Sequence, residues 1–256
     1  GAAKETLDAQ LAENPDDADA HALYGEMATS ARDWTTADDH WTKAATLDPS
    51  NGRARLQATI AKQWNRVPFA QVEAGYLEAA RLLPDDPEPV RLLGNLHARD
   101  RDARLAALQK VADGNPRSAW SRLEIARILR SDAKPDLKRA HALLADAAKA
   151  SPENAAVHGE LGAVLEAEGS LLDAVREYAD CVERSAEGEC GETSDALDRL
   201  LNDPASPVSR SVPLSLRIRA YDALMAKNPS DGRYGNNAGL WFQDAGRDYE
   251  KSPGTT

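Results

Sequence analysis

The sequence predicts an all-α chain built of short antiparallel helix pairs, and three observations carry that reading. The stretch LGAVLEAEGSLLDAVREYADC, Leu161 to Cys181, is rich in strong helix formers yet places Gly162 inside its first half. Glycine in a helix interior costs about 1 kcal/mol relative to alanine, so Gly162 reads as a point where a second helix approaches closely. The same spacing of small, large and aromatic residues then recurs along the chain, with prolines at Pro15, Pro49, Pro84, Pro116 and Pro152 each close behind a helix-like segment. Finally, no run alternates apolar and polar residues between turn signals as a half-buried strand would.

The elements follow in order. Ala3 to Glu13 reads as a lone helix, with Ala3, Leu7 and Leu11 on one face before Pro15. From Ala18 the offsets give Tyr24-Gly25, Ala28, Ala37, Trp41, Ala44 and Pro49. From Ala54 they give Ile60-Ala61, Trp64, Tyr76, Ala79 and Pro84, and from Pro87 they give Leu93-Gly94, His97, Leu108, Val111 and Pro116 after a shortened turn. From Ala119 come Ile125-Ala126, Leu129, Ala140, Leu144, Ala147 and Pro152 after a longer turn. From Ala155 come Leu161-Gly162, Leu165, a helix stop at Gly169, then Ala174, Tyr178 and Cys181. Residues 192–213 fit the spacing least: SDALDRLLND reads as a short helix and PASPVSRSVP as an extended connection. A helix resumes over Leu214–Lys227. Ala238-Gly239, Phe242 and Gly246 then open one more repeat whose second helix stops at RDYEKSPGTT, so that the chain reads as ending at a boundary with a frayed tail.

These offsets resemble the tetratricopeptide repeat, a helix-turn-helix unit of about 34 residues. The resemblance implies a right-handed α-solenoid. It divides the chain into an orphan helix (1–15), five repeats (16–191), an irregular helix pair (192–229) and an incomplete last repeat (230–256).

Composition excludes several classes. A formal charge of −11 lacks the basic footprint of a generic nucleic-acid binder. No apolar stretch approaches the ~18 residues that span a bilayer, so direct membrane insertion is not expected. The five histidines form no HExxH or other i, i+4 ligand pair, the glycines form no phosphate-cradling loop, and no cofactor or metal site is read. Acidic pairs such as Asp16-Asp17 and Asp85-Asp86 stand at helix starts, where they cap. The irregular 192–213 region holds no nucleophile–base pair, and nothing in the sequence points to an enzyme. Two readings stand for Cys181 and Cys190: free thiols, with Cys181 simply packed, or a disulfide closing a short loop, which would imply an oxidising, extracytoplasmic compartment.

The resemblance further implies that the first helix of each repeat lines a concave groove. Carried over, its groove offsets place Arg55, Lys62, Asn65 and Arg66, then Arg91, Asn95 and Arg99, then Trp120, Leu123, Arg127 and Arg130 on that face. Arginine forks hold carboxylates bidentately, and Asn donates to backbone or carboxylate oxygens. The expected function is therefore a non-enzymatic interaction scaffold whose basic groove takes an acidic protein or peptide segment, or a free carboxylate, with Trp120 and Leu123 as an apolar anchor. The alternative is a regulatory or targeting module of a larger protein.

Overall fold

The computed structural model describes residues 2–186, 190–203 and 205–251. Among them are fourteen α-helices and no strand, and none of the helices is long and apolar enough to cross a membrane. Two compact units divide the chain after Ile125, a point inside α8 (Ala119–Ser131). The first unit contains α1 (Ala2–Glu13) and the pairs α2/α3 (Ala18–Ser30, Trp34–Leu47), α4/α5 (Gly52–Trp64, Phe69–Leu82) and α6/α7 (Pro87–Leu96, Arg101–Gly114). The second contains α9 (Leu137–Ala150), the pairs α10/α11 (Ala155–Glu168, Leu171–Arg184) and α12/α13 (Gly191–Asn202, Leu214–Lys227), and α14 (Gly232–Lys251).

Capping sets where the first helices begin. Asp17, Asn51, Asp86 and Asn154 each stand just before α2, α4, α6 and α10 and accept a backbone N–H from the first turn. Prolines follow α1, α3, α5, α7, α9 and α13 by two residues, where each bars continuation of the helix. The turn at Gly169 needs a left-handed residue, and its φ of 85° is one that glycine reaches without strain.

Each pair is locked by one recurrent joint. The eighth residue of the second helix is aromatic in α3, α5, α11 and α13: Trp41, Tyr76, Tyr178 and Tyr221. All four are buried, and each donates its N–H or O–H to the twelfth residue of the first helix. Trp41 Nε1 reaches Thr29 Oγ1 at 3.0 Å, Tyr178 Oη reaches Glu166 at 2.9 Å, Tyr221 Oη reaches Asn202 at 2.7 Å, and Tyr76 pairs with Gln63. The ring needs space on the facing helix, and glycine gives it. A Cβ on Gly25 would lie 2.7 Å from the Trp41 ring, and one on Gly162 would lie 2.6 Å from Tyr178 Cε1. The close approach expected at Gly162 is thus present. In the α6/α7 pair the eighth residue of α7 is Leu108, and in α9 it is Leu144; both are fully buried.

Three local readings change. The second repeat begins at Gly52, 34 residues after the first at Ala18, and not at Ala54; the cap at Asn51 sets that start. The spacing misled because the small residue of this joint moved to the other helix: Thr59 faces Gly75, whose Cβ would lie 2.7 Å from Thr59 Cγ2. Residues 205–213 are not extended. They form successive turns, with Ser209 N–H on the Ser206 carbonyl and Val212 N–H on the Val208 carbonyl, and they bury Val208 and Val212. Helix α14 runs through Gly246 to Lys251 as one element, because no left-handed break occurs there; the Pro-Gly-Thr-Thr tail lies outside the described residues.

Candidate functional site

In the first unit the basic residues expected on one face have divergent surroundings. The register change moves Arg55, Lys62, Asn65 and Arg66 off the offsets that define the face, and puts Arg53, Leu56, Ile60, Gln63 and Trp64 there. Lys62 is held by Asp38 at 2.7 Å and Thr42 at 2.5 Å, and Asn65 Nδ2 donates to the Trp34 carbonyl at 3.0 Å. Arg55 is half-buried on α4, and its Nε is buried without an acceptor. Arg66 is exposed in the turn after α4 with a left-handed φ of 58°. Arg53 instead pairs with Glu26 at 3.2 Å, bridging the exposed faces of two successive first helices. Arg91 pairs weakly with Glu88 on its own helix, at 3.5 Å.

Asn95 and Arg99 do come together. With Phe69, His97 and Ala103 they line a cleft of about 510 Å³ at the end of α6. Phe69 is half exposed there and packs edge-on against His97, whose Nε2 lies 3.2 Å from Glu73. Trp120 and Leu123 do not form an anchor. Trp120 donates its indole N–H to the Asp85 carbonyl at 3.0 Å, and Leu123 is wholly buried, an apolar residue on the inner side of α8 that belongs to the core.

In the second unit Arg127 and Arg130 converge on one acid. Arg130 Nε is 2.5 Å and Arg127 Nε 3.4 Å from the two oxygens of Glu160, which is only 8% exposed against 39% and 44% for the arginine side chains. The Glu160 contact raises the proton affinity of Arg130 further. The two arginines border a cleft of about 760 Å³ whose floor is small residues, Ala156, Gly159 and Ala163, and whose rim includes Glu192 and Thr193. Glu160 was not singled out in the sequence. Its signal is an acidic residue set among the buried positions of HGELGAVL, where a buried charge calls for a paired cation.

Cys181 and Cys190 also line this cleft, and they are free thiols. Their sulfurs lie 2.7 Å apart, beyond the ~2.05 Å of a disulfide bond. The disulfide reading is therefore corrected, and the step from it to an oxidising compartment has no footing. The contact with the Cys190 sulfur, and then burial, hold the Cys181 thiol protonated, so it is a poor nucleophile.

Among the described residues one trio, His158, Glu177 and Asp180, could bring three ligand atoms together. Both ring nitrogens of His158 face acceptors, Glu177 at 2.7 Å and the Pro152 carbonyl at 2.8 Å, so the ring is an imidazolium; the Glu177 contact raises its proton affinity. Asp180 in turn meets Arg184 and Arg219. Three cations around two carboxylates make an ion-pair network, not a metal centre.

No protein-family model and no curated protein sequence matches the chain. Solved structures do. Yeast Tom70 is 17% identical with a TM-score of 0.55 over 80% of this chain and 45% of its own. Pseudomonas aeruginosa pilF is 14% identical with a TM-score of 0.50 over 86% of this chain and 95% of its own. YrrB, a TPR protein with an unusual peptide-binding site, is 16% identical, with a TM-score of 0.40 over 70% of this chain and 92% of its own. At these identities the likeness to the first two speaks to fold alone, and it agrees with the capped helix pairs and their aromatic joints: the chain has the tetratricopeptide-repeat fold.

Proposed function

We propose that the chain is a non-enzymatic interaction scaffold that holds an acidic segment of a partner protein, and that the Arg127–Arg130 cleft of the second unit is where that segment sits. The observation that carries the reading is the arginine pair sharing one buried carboxylate at the edge of a cleft of about 760 Å³. Two full cations against Glu160 leave net positive charge at that edge, and the floor of Ala156, Gly159 and Ala163 lets an extended backbone lie close. Glu192 on the rim sets a limit: the entering acid must approach from the arginine side. In the first unit, Asn95, Arg99 and half-exposed Phe69 offer a second patch of the same chemistry, an apolar ring beside a cation and an amide.

The test is binding of an acidic peptide library to the full chain, read by fluorescence polarisation at two salt concentrations. Selected peptides should bind more weakly at higher salt, because half-exposed contacts are screened over about 8–10 Å. Arg127→Gln with Arg130→Gln, made together with Glu160→Gln so that no buried carboxylate is stranded, should abolish binding with helicity retained, and Arg81→Glu with Lys149→Glu, exposed outside both clefts, should leave it unchanged. Equal loss in the two multiple variants would remove the cleft as the site.

A further inference from the structure

His21 on α2 and His40 on α3 face each other through their Nδ1 atoms, 3.1 Å apart. Two contacts fix the rings. His21 Nε2 lies 3.0 Å from the Pro15 carbonyl, an oxygen that only accepts, so this nitrogen carries the ring proton and Nδ1 presents a lone pair. His40 stacks on Tyr24, with centroids 3.9 Å apart and planes 6° from parallel. A hydrogen on His40 Nδ1 bridges the two nitrogens.

We propose that this pair is a chelating site for a divalent late first-row transition ion of the Zn(II), Ni(II) and Cu(II) class, bound between His21 Nδ1 and His40 Nδ1. The geometry fits. At metal–nitrogen distances of about 2.0–2.1 Å, two cis ligands lie about 3.3 Å apart in a tetrahedral site and about 2.9 Å apart in a square-planar one. The observed 3.1 Å falls between them, so the two nitrogens already have the separation of cis ligands, and each ring turns to aim its lone pair at the shared ion. The Pro15 carbonyl on His21 Nε2 is the outer contact that metal-ligating histidines commonly make, one that fixes the tautomer and raises ligand basicity. On binding, the His40 proton moves from Nδ1 to Nε2 through solvent, and no net proton is released from the neutral pair. Both rings are half-buried, which leaves a path from solvent. The carboxylates of Asp39 and Asp8 act on His40 in the sense that favours positive charge beside it, though less strongly than burial and His21 oppose it. Burial and the facing His21 also lower the proton affinity of His40, which keeps it neutral and available as a ligand at pH 7. The one ring of the His158 network does not offer this, since both its nitrogens are taken. The site stands independently of the peptide reading, being on α2 and α3 in the first unit.

The experiment is titration of the whole chain with Zn(II) alone, followed by long-range ¹H–¹⁵N spectra of the imidazole rings. A ring-resolved readout is needed because the Cys181 and Cys190 thiols can also take this ion. The His21 and His40 Nδ1 resonances should shift together and saturate, and both rings should end as Nε2–H tautomers. His21→Gln and His40→Gln should each weaken that step at least about tenfold, no less than the loss of an outer contact costs, and His141→Gln should leave it unchanged. Zn(II) at millimolar concentration that leaves both rings unshifted, or shifts only one, overturns the proposal, and the native chain alone decides this even if a variant folds poorly. Unchanged affinity in both His→Gln variants overturns it equally.

Discussion

The joint between α10 and α11 predicts that one substitution made at two glycines will have opposite signs. Alanine in place of a helical glycine gains about 1 kcal/mol of helix propensity wherever there is room for the methyl group. At Gly239, exposed on α14, an added Cβ meets nothing within 4 Å, so Gly239→Ala should stabilise by close to that amount. At Gly162 the same methyl would lie 2.6 Å from Tyr178 Cε1 and 3.1 Å from its Cγ, against the 3.5–4.0 Å that carbon atoms prefer. The ring has to move by about 1 Å. It is 4% exposed and tied through its hydroxyl to Glu166 at 2.9 Å, so it cannot swing into solvent without losing that bond. Overpacking costs about 1–3 kcal/mol and the hydrogen bond about 1 kcal/mol more, which outweighs the propensity gain. Gly162→Ala should therefore destabilise by about 1–3 kcal/mol. Urea unfolding followed by circular dichroism reads both variants, as midpoint shifts in opposite directions at unchanged slope. A Gly162→Ala midpoint at or above that of Gly239→Ala would refute the account of the joint.

Arg217 is fully buried and faces no carboxylate in the described contacts; its fork donates to the Leu201 carbonyl at 2.7 Å and to the Ser209 carbonyl, and it stacks on Trp241 at 4.2 Å. Arg217→Met strands both carbonyls, at about 1–3 kcal/mol each, less the relief of an unburied charge, so trypsin should cut faster at exposed Arg210; an unchanged cleavage rate contradicts the clamp. The Glu177 contact gives folded His158 a raised pKa, so its stabilisation is full below the ordinary value of about 6.5 and fades as pH rises through the folded value. Stability of the native chain should thus fall across that window, and His158→Gln should flatten the slope; a slope that survives the substitution assigns it elsewhere. Alkylation of the unfolded, unreduced chain should label both Cys181 and Cys190, and a single species two mass units lighter that resists alkylation would show them joined.

How far the chain could be read in advance depended on whether a signal was repeated. The helix pairs were legible because Gly162 with Tyr178 and Gly25 with Trp41 state the same joint twice, and each statement supports the other. The second repeat slipped by two residues because its small residue changed helix: with Thr59 on the first helix and Gly75 on the second, the spacing rule met a threonine where it sought a glycine, and Ala61 was read in its place. The Pro-rich 203–213 connection has no repeat to compare with. Its turns are organised by Arg217, a residue further along the chain whose burial no local pattern announces. The basic face was the least legible part, since side-chain charge is visible in sequence and its partner is not. Lys62 with Asp38 and Arg104 with Glu124 each join residues at least twenty apart. Leu123 failed for a simpler reason: an offset rule assigns a face without weighing that leucine gains about 1.5–3 kcal/mol by being buried.

The pairing of Arg127 and Arg130 with Glu160 bears on how the cleft would work. An internal carboxylate could be taken as a competitor that occupies the site. The exposures argue otherwise, since Glu160 is 8% exposed and both arginines more than a third. Glu160 therefore meets the guanidinium groups from the buried side through their Nε atoms. A free arginine side chain carries about 2 kcal/mol of rotamer entropy that a ligand must overcome; one already held at its Nε has surrendered part of it on folding. In the proposed binding mode Glu160 would act as a support that orients two forks and lowers the entropic cost of an arriving carboxylate, while reducing their electrostatic pull. That balance would favour geometric selection over raw attraction. A site built this way would discriminate among acidic segments by where their carboxylates fall, which a bare basic strip in a molecule of charge −11 would not do.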